Sequence, residues 1–412
     1  MSSPRIWIIN QFANTPDLPG HTRQYELGRY LADQGYGVTV FSSDYNLNQR
    51  RYRRLRPGQL WQTEPRGQFG PLNWCWLWAS PYQDNDWRRY VNLVSFCFTL
   101  VLRSLVEPRP DLILASSPQL PAAWVAMHLA RWRGAQFWLE VRDLWPQVLI
   151  DLGGKSPRSP LVRGLGWLEG QVYRAARQVV VLAAGSAPYV EQRGARAVAW
   201  LPNGPELSSM ATDLAVEAAR ERFAIHPQRF CLMYTGAHGL ANALDTLVEA
   251  ARYLDQAAPG QFQILLVGDG AEKSRLQQLG AGIANLEFRD ALAKREIPDL
   301  LRAADALILT LKDVPLFQYG VSPNKLYDYY AAAKPVVVAV GGAVNAEVDH
   351  HQLGLAVPPE DPHRLAQAIL ALARLPAADR QAMGQRARQL AERTYSRQAV
   401  AEKFHHLIET HL

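Results

Sequence analysis

Residues 230–270 have the sequence FCLMYTGAHGLANALDTLVEAARYLDQAAPGQFQILLVGDG, and this stretch decides the fold class. Two apolar runs, FCLMY and FQILLVG, flank a segment with helical periodicity from Leu244 to Tyr253. A strand, a helix and a second strand in this order are typical of a parallel sheet covered by helices. The turn at residues 235–239 contains two glycines, which serve either a tight turn or the close approach of backbone to a phosphate.

The same alternation continues in both directions along the chain. The apolar runs before this stretch are RIWII, GVTVF, WCWLW, DLILA, QFWLEV, QVVVLA and AVAWLP, and those after it are NLEFR, DALILTL, KPVVVAV and GLAVP. Each half therefore holds enough strands for a doubly wound, Rossmann-like α/β domain of its own. The turn-forming cluster LPNGP at residues 201–205 marks the boundary, which predicts domains at 1–204 and 205–394. Residues 395–412 have a helical pattern and are expected to fold back onto the first domain.

Composition places the chain among folded proteins, with 412 residues, 48% hydrophobic and 20% charged. The three cysteines are widely spaced and show no zinc-site pattern, which indicates reduced thiols. The N-terminus MSSPRIWIIN lacks the features of a signal peptide, so a cytoplasmic protein is expected.

Positive charge is concentrated in the first half of the chain. Residues 1–204 hold 23 Lys and Arg against 14 Asp and Glu, whereas the remainder holds 21 against 24. Residues 50–56 contain five arginines, and five tryptophans follow between positions 61 and 87. The apolar window at 91–106 is about 16 residues long, short of the roughly 20 that a membrane span needs. It predicts a buried or amphipathic helix, and together the region 50–106 suggests contact with an anionic membrane surface.

The segment VSPNKLYDYYAAAKP at residues 321–335 lies between two strand-like runs. Ser322 suits a helix N-cap and Pro323 the first helical position, so a helix is expected to start here. Its N–H groups together with Lys325 would bind a diphosphate, and Asp328 would accept ribose hydroxyls. The alternative is a capped surface helix with a Lys–Asp pair.

Further candidates follow other predicted strands. Gly268 and Gly270 end one strand, where they form a turn or the edge of a ligand site. Arg142 and Asp143 follow QFWLEV and form either a sugar or phosphate site or a structural ion pair. The sequence PGH ends the loop after the first strand, and its Gly20 and His21 either contact an anion or are structural. Zincin, serine-hydrolase and P-loop motifs do not occur in the sequence.

Seven segments in order, VRDLWP, LPNG, YTGAHGLANALDTLVEA, VGDG, FRDALAKREIPDLLRAADALILTL, SPNKLYDYYAAAKPVV and GLAVPPEDP, carry a family resemblance. The chain resembles the retaining glycosyltransferases of family 4, which have the GT-B fold of two Rossmann-like domains facing a central cleft. Within that family it is most similar to the O-antigen and capsule group that includes N-acetyl-L-fucosamine transferases.

The resemblance implies sugar transfer from a nucleoside diphosphate sugar without a metal ion or other cofactor. The expected donor is a UDP-linked sugar, with an N-acetylated or deoxy sugar as a candidate. The catalytic residues would be Lys325, Asp143 and Arg142, and Gly20 and His21 would contact the acceptor. The donor-binding residues implied are Gly236, Ala237, Gly268, Gly270, Ser322, Asn324, Lys325, Asp328 and Glu347.

The sequence also departs from the family pattern. Asp328 stands at the second place of a family Glu pair, and Gly320 stands at the first. Many relatives carry a Lys or Arg after the glycine turn. This sequence has no such residue there and has Asn242 and Ala243 in that region. Lys325 is then the main expected charge on the diphosphate.

The expected acceptor is a saccharide on a polyprenyl diphosphate, reached at the inner face of the cell membrane during surface polysaccharide biosynthesis. No nucleic-acid partner is expected, because the arginine cluster has no recognition module beside it. Two alternatives remain at this point, a nucleotide-sugar epimerase and a non-catalytic nucleotide-sugar-binding subunit.

Overall fold

A computed structural model describes residues 3–18, 22–46, 49–65, 67–83, 86–117 and 119–412. The chain divides into two compact units, the first comprising residues 1–201 and 401–412 and the second residues 202–400. The motifs suggested division at 204 and 394. The small differences arise where Arg397 donates its backbone N–H to Pro205 O, which ties the start of the last helix to the second unit.

The first unit is built on an eight-stranded sheet in the order β10-β9-β8-β7-β1-β2-β6-β5. All neighbouring strands are parallel except the edge pair β5 and β6. These strands are β1 (Arg5–Ile9), β2 (Gly37–Ser43), β5 (Trp61–Thr63), β6 (Asn73–Leu77), β7 (Leu112–Ser116), β8 (Gln136–Val141), β9 (Gln178–Val181) and β10 (Val198–Trp200); a separate antiparallel pair consists of β3 (Tyr45–Asn46) and β4 (Arg51–Tyr52). Strand order reverses beside β1, so the carboxyl ends of β1 and β7 form the topological switch point.

Helices cover this sheet and bury its apolar side chains. They are α1 (Arg23–Asp33), α2 (Trp87–Val106), α3 (Leu120–Arg133), α4 (Gln147–Asp151), α5 (Pro160–Ala175) and α6 (Ala187–Gln192). Helix α3 packs against both α2 and α5. The C-terminal residues 401–412 also pack here, with the Phe404 ring 6.2 Å from the Trp138 ring.

Helix α2 has an unusual distribution of polarity. Its buried positions include Asn92, Thr99 and Ser104, whereas large apolar side chains on the other face are exposed. Asn92 donates to Ser80 O at 2.5 Å, and Thr99 donates to Trp78 O at 2.7 Å. The face that attaches the helix to the domain therefore combines these polar side chains with the buried apolar residues Phe96 and Leu100.

By length and composition alone, α2 is the one helix among the described residues that could cross a membrane. The apolar window of about 16 residues at 91–106 lies within this helix, which extends over 20 residues. The side-chain bonds of its polar face to the domain identify it as an element of the folded unit.

The second unit contains a fully parallel six-stranded sheet in the order β13-β12-β11-β14-β15-β16. Its strands are β11 (Phe230–Thr235), β12 (Phe262–Val267), β13 (Leu286–Arg289), β14 (Ala306–Thr310), β15 (Val336–Ala339) and β16 (Gly354–Val357). Strand order reverses at β11 and β14, which places the switch point at the end of β11.

Helices complete the second unit and bury a continuous apolar core. They are α7 (Val216–Arg222), α8 (Leu244–Ala257), α9 (Lys273–Leu279), α10 (Ile297–Arg302), α11 (Pro315–Gln318), α12 (Asn324–Ala331), α13 (Gly342–His350), α14 (Pro362–Arg374) and α15 (Ala377–Leu390), followed by a π-helical turn at Ala391–Tyr395 and by α16 (Arg397–Glu409). Leu247 and Leu254 of α8 and Ile369 of α14 belong to one buried cluster.

The α/β fold class with two Rossmann-like domains is confirmed. Every apolar run singled out in the sequence contains a strand of one of the two large sheets. Strands β3, β4 and β5 were not predicted, because two or three residues carry too little periodicity to detect.

Candidate active site

The glycine turn predicted after β11 lies at the switch point of the second sheet. A Cβ atom on Gly236 would lie 2.9 Å from Lys325 Nζ, and one on Gly268 would lie 1.8 Å from Gly236 O. The loops after β11 and β12 therefore touch through backbone that has no room for side chains. The structure brings Gly236, Gly268 and Lys325 together from three separate segments.

Lys325 lies against this turn and is held by neutral groups. Its ammonium donates to the Tyr234 hydroxyl and to Asn242 Oδ1 at 3.0 Å, and Nζ lies 4.2 Å from the centroid of the Tyr234 ring. Within the described part of the chain no carboxylate pairs with it. Burial lowers the pKa of Lys325 to about 7. The side chain is therefore an uncompensated cation site beside exposed backbone, which is the setting for an anionic ligand.

Asn242 occupies the region where the family resemblance implies a cation. Its Nδ2 donates to Ala237 O at 3.0 Å while its Oδ1 accepts from Lys325. Asn242 thus links Ala237 of the glycine turn to the lysine and fixes the position of the ammonium.

Helix α12 begins one residue later than predicted. Pro323 is the N-cap, and no side chain caps the helix. The prediction that Ser322 caps it is wrong, because the Ser322 hydroxyl accepts from Asn203 N at 3.1 Å and contacts the Tyr327 hydroxyl at 2.9 Å. The first N–H groups of the helix therefore have no side-chain cap, and the side chain of Asn324 is exposed.

Asp328 is half-buried on α12, and its carboxylate has no hydrogen-bond or ion-pair partner in the described structure. Burial raises the pKa of Asp328 to about 6, although the charges of Lys294 and Arg397 oppose this shift. A partly buried carboxylate without hydrogen-bond donors is suited to accept hydrogen bonds from the hydroxyl groups of a ligand.

Glu347 on α13 has structural partners. Its Oε1 accepts from the Tyr330 hydroxyl at 3.0 Å, and its Oε2 accepts from the Tyr395 hydroxyl. Burial raises the pKa of Glu347 despite these bonds. Glu347 thus links Tyr330 of α12 to Tyr395 of the π-helical turn. The implied contact of Glu347 with the donor stays a prediction.

His238 packs under the glycine loops and is not among the residues that the sequence analysis singled out. It is fully buried, and neither ring nitrogen has a hydrogen-bond partner in the structure as described. Burial and the charge of Lys273 lower its pKa, so the ring is neutral. Lys273 donates to Gly268 O at 2.9 Å and so holds the second glycine loop from the other side.

In the first unit, polar side chains gather at the carboxyl ends of β7 and β8. Glu140 is 1% exposed and accepts from Arg23 Nε at 2.7 Å, Gln24 Nε2 at 2.8 Å and Ser116 Oγ at 2.8 Å. Burial alone would raise the pKa of Glu140, but the charges of Arg23 and Arg142 hold it below its ordinary value. The carboxylate is ionised and organises the edge of the sheet.

Arg142 and Asp143 extend from this cluster. Arg142 Nη1 donates to Gln24 Oε1 at 3.4 Å, and its backbone N–H donates to Ser117 Oγ at 3.2 Å. No hydrogen bond or ion pair between Arg142 and Asp143 occurs in the described structure, and the two alternatives for them, a ligand site and a structural role, both stay predictions. Asp143 is exposed at the switch-point edge. The predicted acceptor residues Gly20 and His21 lie outside the described residues.

Family models identify both halves of the chain. Residues 20–204 match the model described as Glycosyl transferase 4-like domain, and residues 229–374 match the model described as Glycosyl transferases group 1. The chain is a glycosyltransferase. A comparison with curated protein sequences gave no match.

Solved structures resemble this glycosyltransferase over nearly its full length. A sucrose-phosphate synthase from Thermosynechococcus elongatus has a TM-score of 0.74 at 18% identity, covering 99% of this chain and 98% of that one. The Anabaena protein HepE in complex with UDP-glucose has a TM-score of 0.67 at 16% identity, covering 98% and 99%. WaaG, a glycosyltransferase involved in lipopolysaccharide biosynthesis, has a TM-score of 0.66 at 14% identity, covering 97% and 98%. At these identities the likeness establishes the GT-B fold.

The sequence analysis did not single out three residues of the candidate site, Tyr234, Arg23 and Glu140. Tyr234 resembles a core residue of β11, and Arg23 and Glu140 lie 117 positions apart. A tyrosine immediately before a glycine turn was the available signal for the first. No local sequence pattern predicts that Arg23 and Glu140 form an ion pair.

The described residues contain no group of three or more His, Cys, Asp or Glu side chains placed to hold a metal ion. The expectation of metal-free transfer stays a prediction.

Proposed function

We propose that the enzyme transfers a sugar from a nucleoside diphosphate sugar bound by the second unit. The observation that carries this proposal is the buried Lys325 ammonium beside Gly236, without a carboxylate partner among the described residues. A diphosphate would supply the missing negative charge and would accept from the uncapped N–H groups of α12. Crystal structures of HepE in complex with UDP and with UDP-glucose favour UDP as the nucleotide.

The proposed chemistry breaks the bond between the anomeric carbon and the diphosphate oxygen and forms a bond from that carbon to an acceptor hydroxyl oxygen, whose proton leaves with the diphosphate. Lys325 and the start of α12 stabilise the charge that grows on the departing diphosphate. Asp328 accepts hydrogen bonds from the ribose hydroxyls. The backbone approaches the donor closely at four small residues, Gly236, Ala237, Gly268 and Gly270. Retention of configuration by attack on the same face, without metal or other cofactor, follows from the family resemblance.

The proposed acceptor is a saccharide carried on a polyprenyl diphosphate, as in O-antigen or capsule synthesis, with an N-acetylated or deoxy sugar transferred. Arg142 and Asp143 would contact the reacting sugars, because the Glu140 cluster positions the arginine and Asp143 remains unpaired. Gly20 and His21 would contribute to the acceptor site. The enzyme would then work at the inner face of the cell membrane.

Helix α2 supports this location. Its exposed apolar residues form one stripe at helical spacing, consisting of Trp87, Tyr90, Val91, Val94, Phe98, Val101, Leu105 and Val106. Four of these residues, Tyr90, Val91, Val94 and Phe98, line a shallow surface depression together with Ser95. We propose that this stripe, here called the α2 stripe, enters the interfacial region of a membrane while the polar face stays bound to the domain.

Exposed arginines of residues 50–56 supply the electrostatic part of the proposed attraction. Arg50, Arg51 and Arg56 are exposed and available to anionic headgroups. Arg54 is not, since it pairs internally with Asp17 and Glu64 at 2.6 and 2.7 Å. Fewer than five arginines of residues 50–56 are therefore available to attract an anionic membrane.

The donor proposal is tested by thermal unfolding of the purified enzyme with UDP, GDP, ADP and dTDP. At 100 times its dissociation constant, the correct nucleotide stabilises the protein by about 2.7 kcal/mol. Lys325→Met should weaken that binding by about 10- to 100-fold, since it removes a charged hydrogen-bond donor. Lys155→Met, at an exposed lysine, is the matched control. Stabilisation by none of the nucleotides, or equal binding by Lys325→Met, would refute the donor site.

The membrane proposal is tested by sedimentation with vesicles of phosphatidylcholine, with and without phosphatidylglycerol. Val94→Ser and Phe98→Ser should release the enzyme from both vesicle types, and added phosphatidylglycerol should strengthen binding of the unmodified enzyme. Tyr253→Ser, at an exposed tyrosine of the second unit, controls for loss of any exposed apolar group. Unchanged vesicle binding by both α2 variants would contradict the role of the α2 stripe.

A further inference from the structure

The exposed apolar side chains of the enzyme are concentrated on three helices of the first unit, α2, α3 and α5. The α2 stripe contains most of them, Trp132 lies on α3, and Leu161 and Trp167 lie on α5. Trp132 is 61% exposed and Trp167 is 57% exposed. Such a concentration marks an interaction surface. The remaining large apolar side chains that are exposed in the described residues are scattered, namely Leu60, Leu240, Tyr253 and Leu412.

The three helices form one layer on one face of the eight-stranded sheet. Helix α2 connects β6 to β7, α3 connects β7 to β8, and α5 lies in the connection from β8 to β9. Each connection joins parallel strands and runs in the same direction along the sheet, so right-handed crossovers place all three helices on the same face. Helix α3 contacts both α2 and α5, as this order requires. Because packed helices lie about 8–10 Å apart, α5 lies roughly 16–20 Å from α2 across this surface.

The surface of this layer carries positive charge. Across α2, α3 and α5, all of whose residues the structure describes, Glu169 is the one acidic residue, and it is buried. Exposed arginines occur on every helix of the layer, with Arg88 on α2, Arg131 on α3, and Arg163 and Arg174 on α5. A surface that combines apolar side chains with unopposed positive charge is complementary to an anionic lipid bilayer.

Tryptophan and arginine lie together at two places on this surface. The guanidinium carbon of Arg133 lies 4.4 Å from the centroid of the Trp132 ring, and that of Arg88 lies 5.9 Å from the Trp87 ring. Tryptophan is enriched at the boundary between water and lipid, and arginine binds the phosphate groups found there. Both residue types therefore suit the headgroup region of a bilayer.

We propose that α2, α3 and α5 form one membrane-contact face, in which Leu161 and Trp167 enter the same anionic bilayer as the α2 stripe. This inference rests on the membrane location proposed above and adds a second line of contact to it. Contact through one helix would let the unit roll about the helix axis, whereas contact through α2 and α5 fixes which face of the sheet is turned to the lipid. A second copy of the chain fits this face less well, because a symmetric contact would bring the arginines of both copies together.

The experiment is sedimentation of the full-length enzyme with vesicles of phosphatidylcholine and phosphatidylglycerol. The α5 double variant Leu161→Ser/Trp167→Ser should bind at least about 10-fold more weakly, because it removes apolar area that enters the bilayer. Tyr253→Ser should bind like the unmodified enzyme. Both variants should keep the unfolding temperature and the stabilisation by UDP of the unmodified enzyme, since the substituted side chains are exposed.

The charge of the face is tested separately. Arg163→Gln/Arg174→Gln should lower the extra binding that phosphatidylglycerol confers about 10-fold, since each basic residue at an anionic surface contributes about 1 kcal/mol. Arg295→Gln/Arg374→Gln removes the same net charge from exposed positions of the second unit and should leave that binding unchanged. Equal losses in the two double variants would contradict a local contact through α5.

Comparison of the α5 double variant with Val94→Ser and Phe98→Ser separates this inference from the proposed α2 contact. If only the α2 variants lose vesicle binding, α2 is the whole contact and the inference is wrong. If only the α5 double variant loses binding, the α5 contact stands and the proposed role of the α2 stripe fails. Sedimentation velocity without vesicles tests the second copy, and a dimer that the α5 double variant dissociates would overturn the assignment of this face to lipid.

Discussion

Lys325 gives the proposed donor site a defined dependence on pH. Burial lowers its pKa to about 7 in the free enzyme, so the amine is mostly neutral at about pH 8. A bound diphosphate favours the charged ammonium and raises this pKa, which means that binding takes up a proton. Affinity for UDP should therefore fall as the pH rises above about 7.

Proton uptake is measured by titration calorimetry of UDP at about pH 8 in Tris and in HEPES, whose ionisation enthalpies differ. The apparent binding enthalpy should depend on the buffer in the unmodified enzyme and should not do so in Lys325→Met. A buffer-independent enthalpy in the unmodified enzyme would mean that Lys325 is already charged before UDP binds.

Gly268 tests whether contact between the two glycine loops shapes the site. A Cβ atom there would lie 1.8 Å from Gly236 O, so Gly268→Ala must push the loops apart. We expect a loss of stability of about 1–3 kcal/mol and weaker UDP binding. In Gly239→Ala the new Cβ would meet only Asn242 Nδ2, at 3.8 Å, so stability should change by less than about 0.5 kcal/mol. Equal unfolding temperatures of the two variants would contradict the close approach.

Helix α2 offers a buried and an exposed apolar residue two positions apart. Leu100 is fully buried, whereas Phe98 is 58% exposed. Leu100→Ala should therefore cost about 2–5 kcal/mol in urea unfolding. Phe98→Ala should change the free energy of unfolding by less than about 0.5 kcal/mol. A large loss in Phe98→Ala would show that something in the folded protein covers the α2 stripe.

The two units are expected to unfold as separate cooperative transitions in calorimetry, since each has its own sheet and core. UDP should raise the temperature of only the transition that belongs to the second unit. Phe404 is 1% exposed and packs in the first unit. Phe404→Ala should therefore lower the free energy of unfolding of the first unit by about 3–5 kcal/mol, and with it the temperature of that unit's transition. A single transition shifted by both changes would show that the units unfold together.

The strands were predictable because a central parallel strand is buried on both faces, which forces a continuous apolar run such as VVVA at Val336–Ala339. Lys325 and the glycine turns were predictable for a related reason: they follow strands, and the ends of parallel strands meet at one edge of the sheet. The prediction that Ser322 caps helix α12 failed because its hydroxyl accepts a hydrogen bond from Asn203, a residue 119 positions away.

The sequence thus determined the fold class, the strands and the positions of the glycine turns and Lys325, since these depend on local apolar pattern and backbone freedom. The tertiary structure alone decided which groups meet. It placed Tyr234 and Asn242 on the Lys325 ammonium and exposed the apolar side of α2. Such pairings depend on distances between segments remote in the chain, and pKa values and unsatisfied hydrogen bonds arise from those distances.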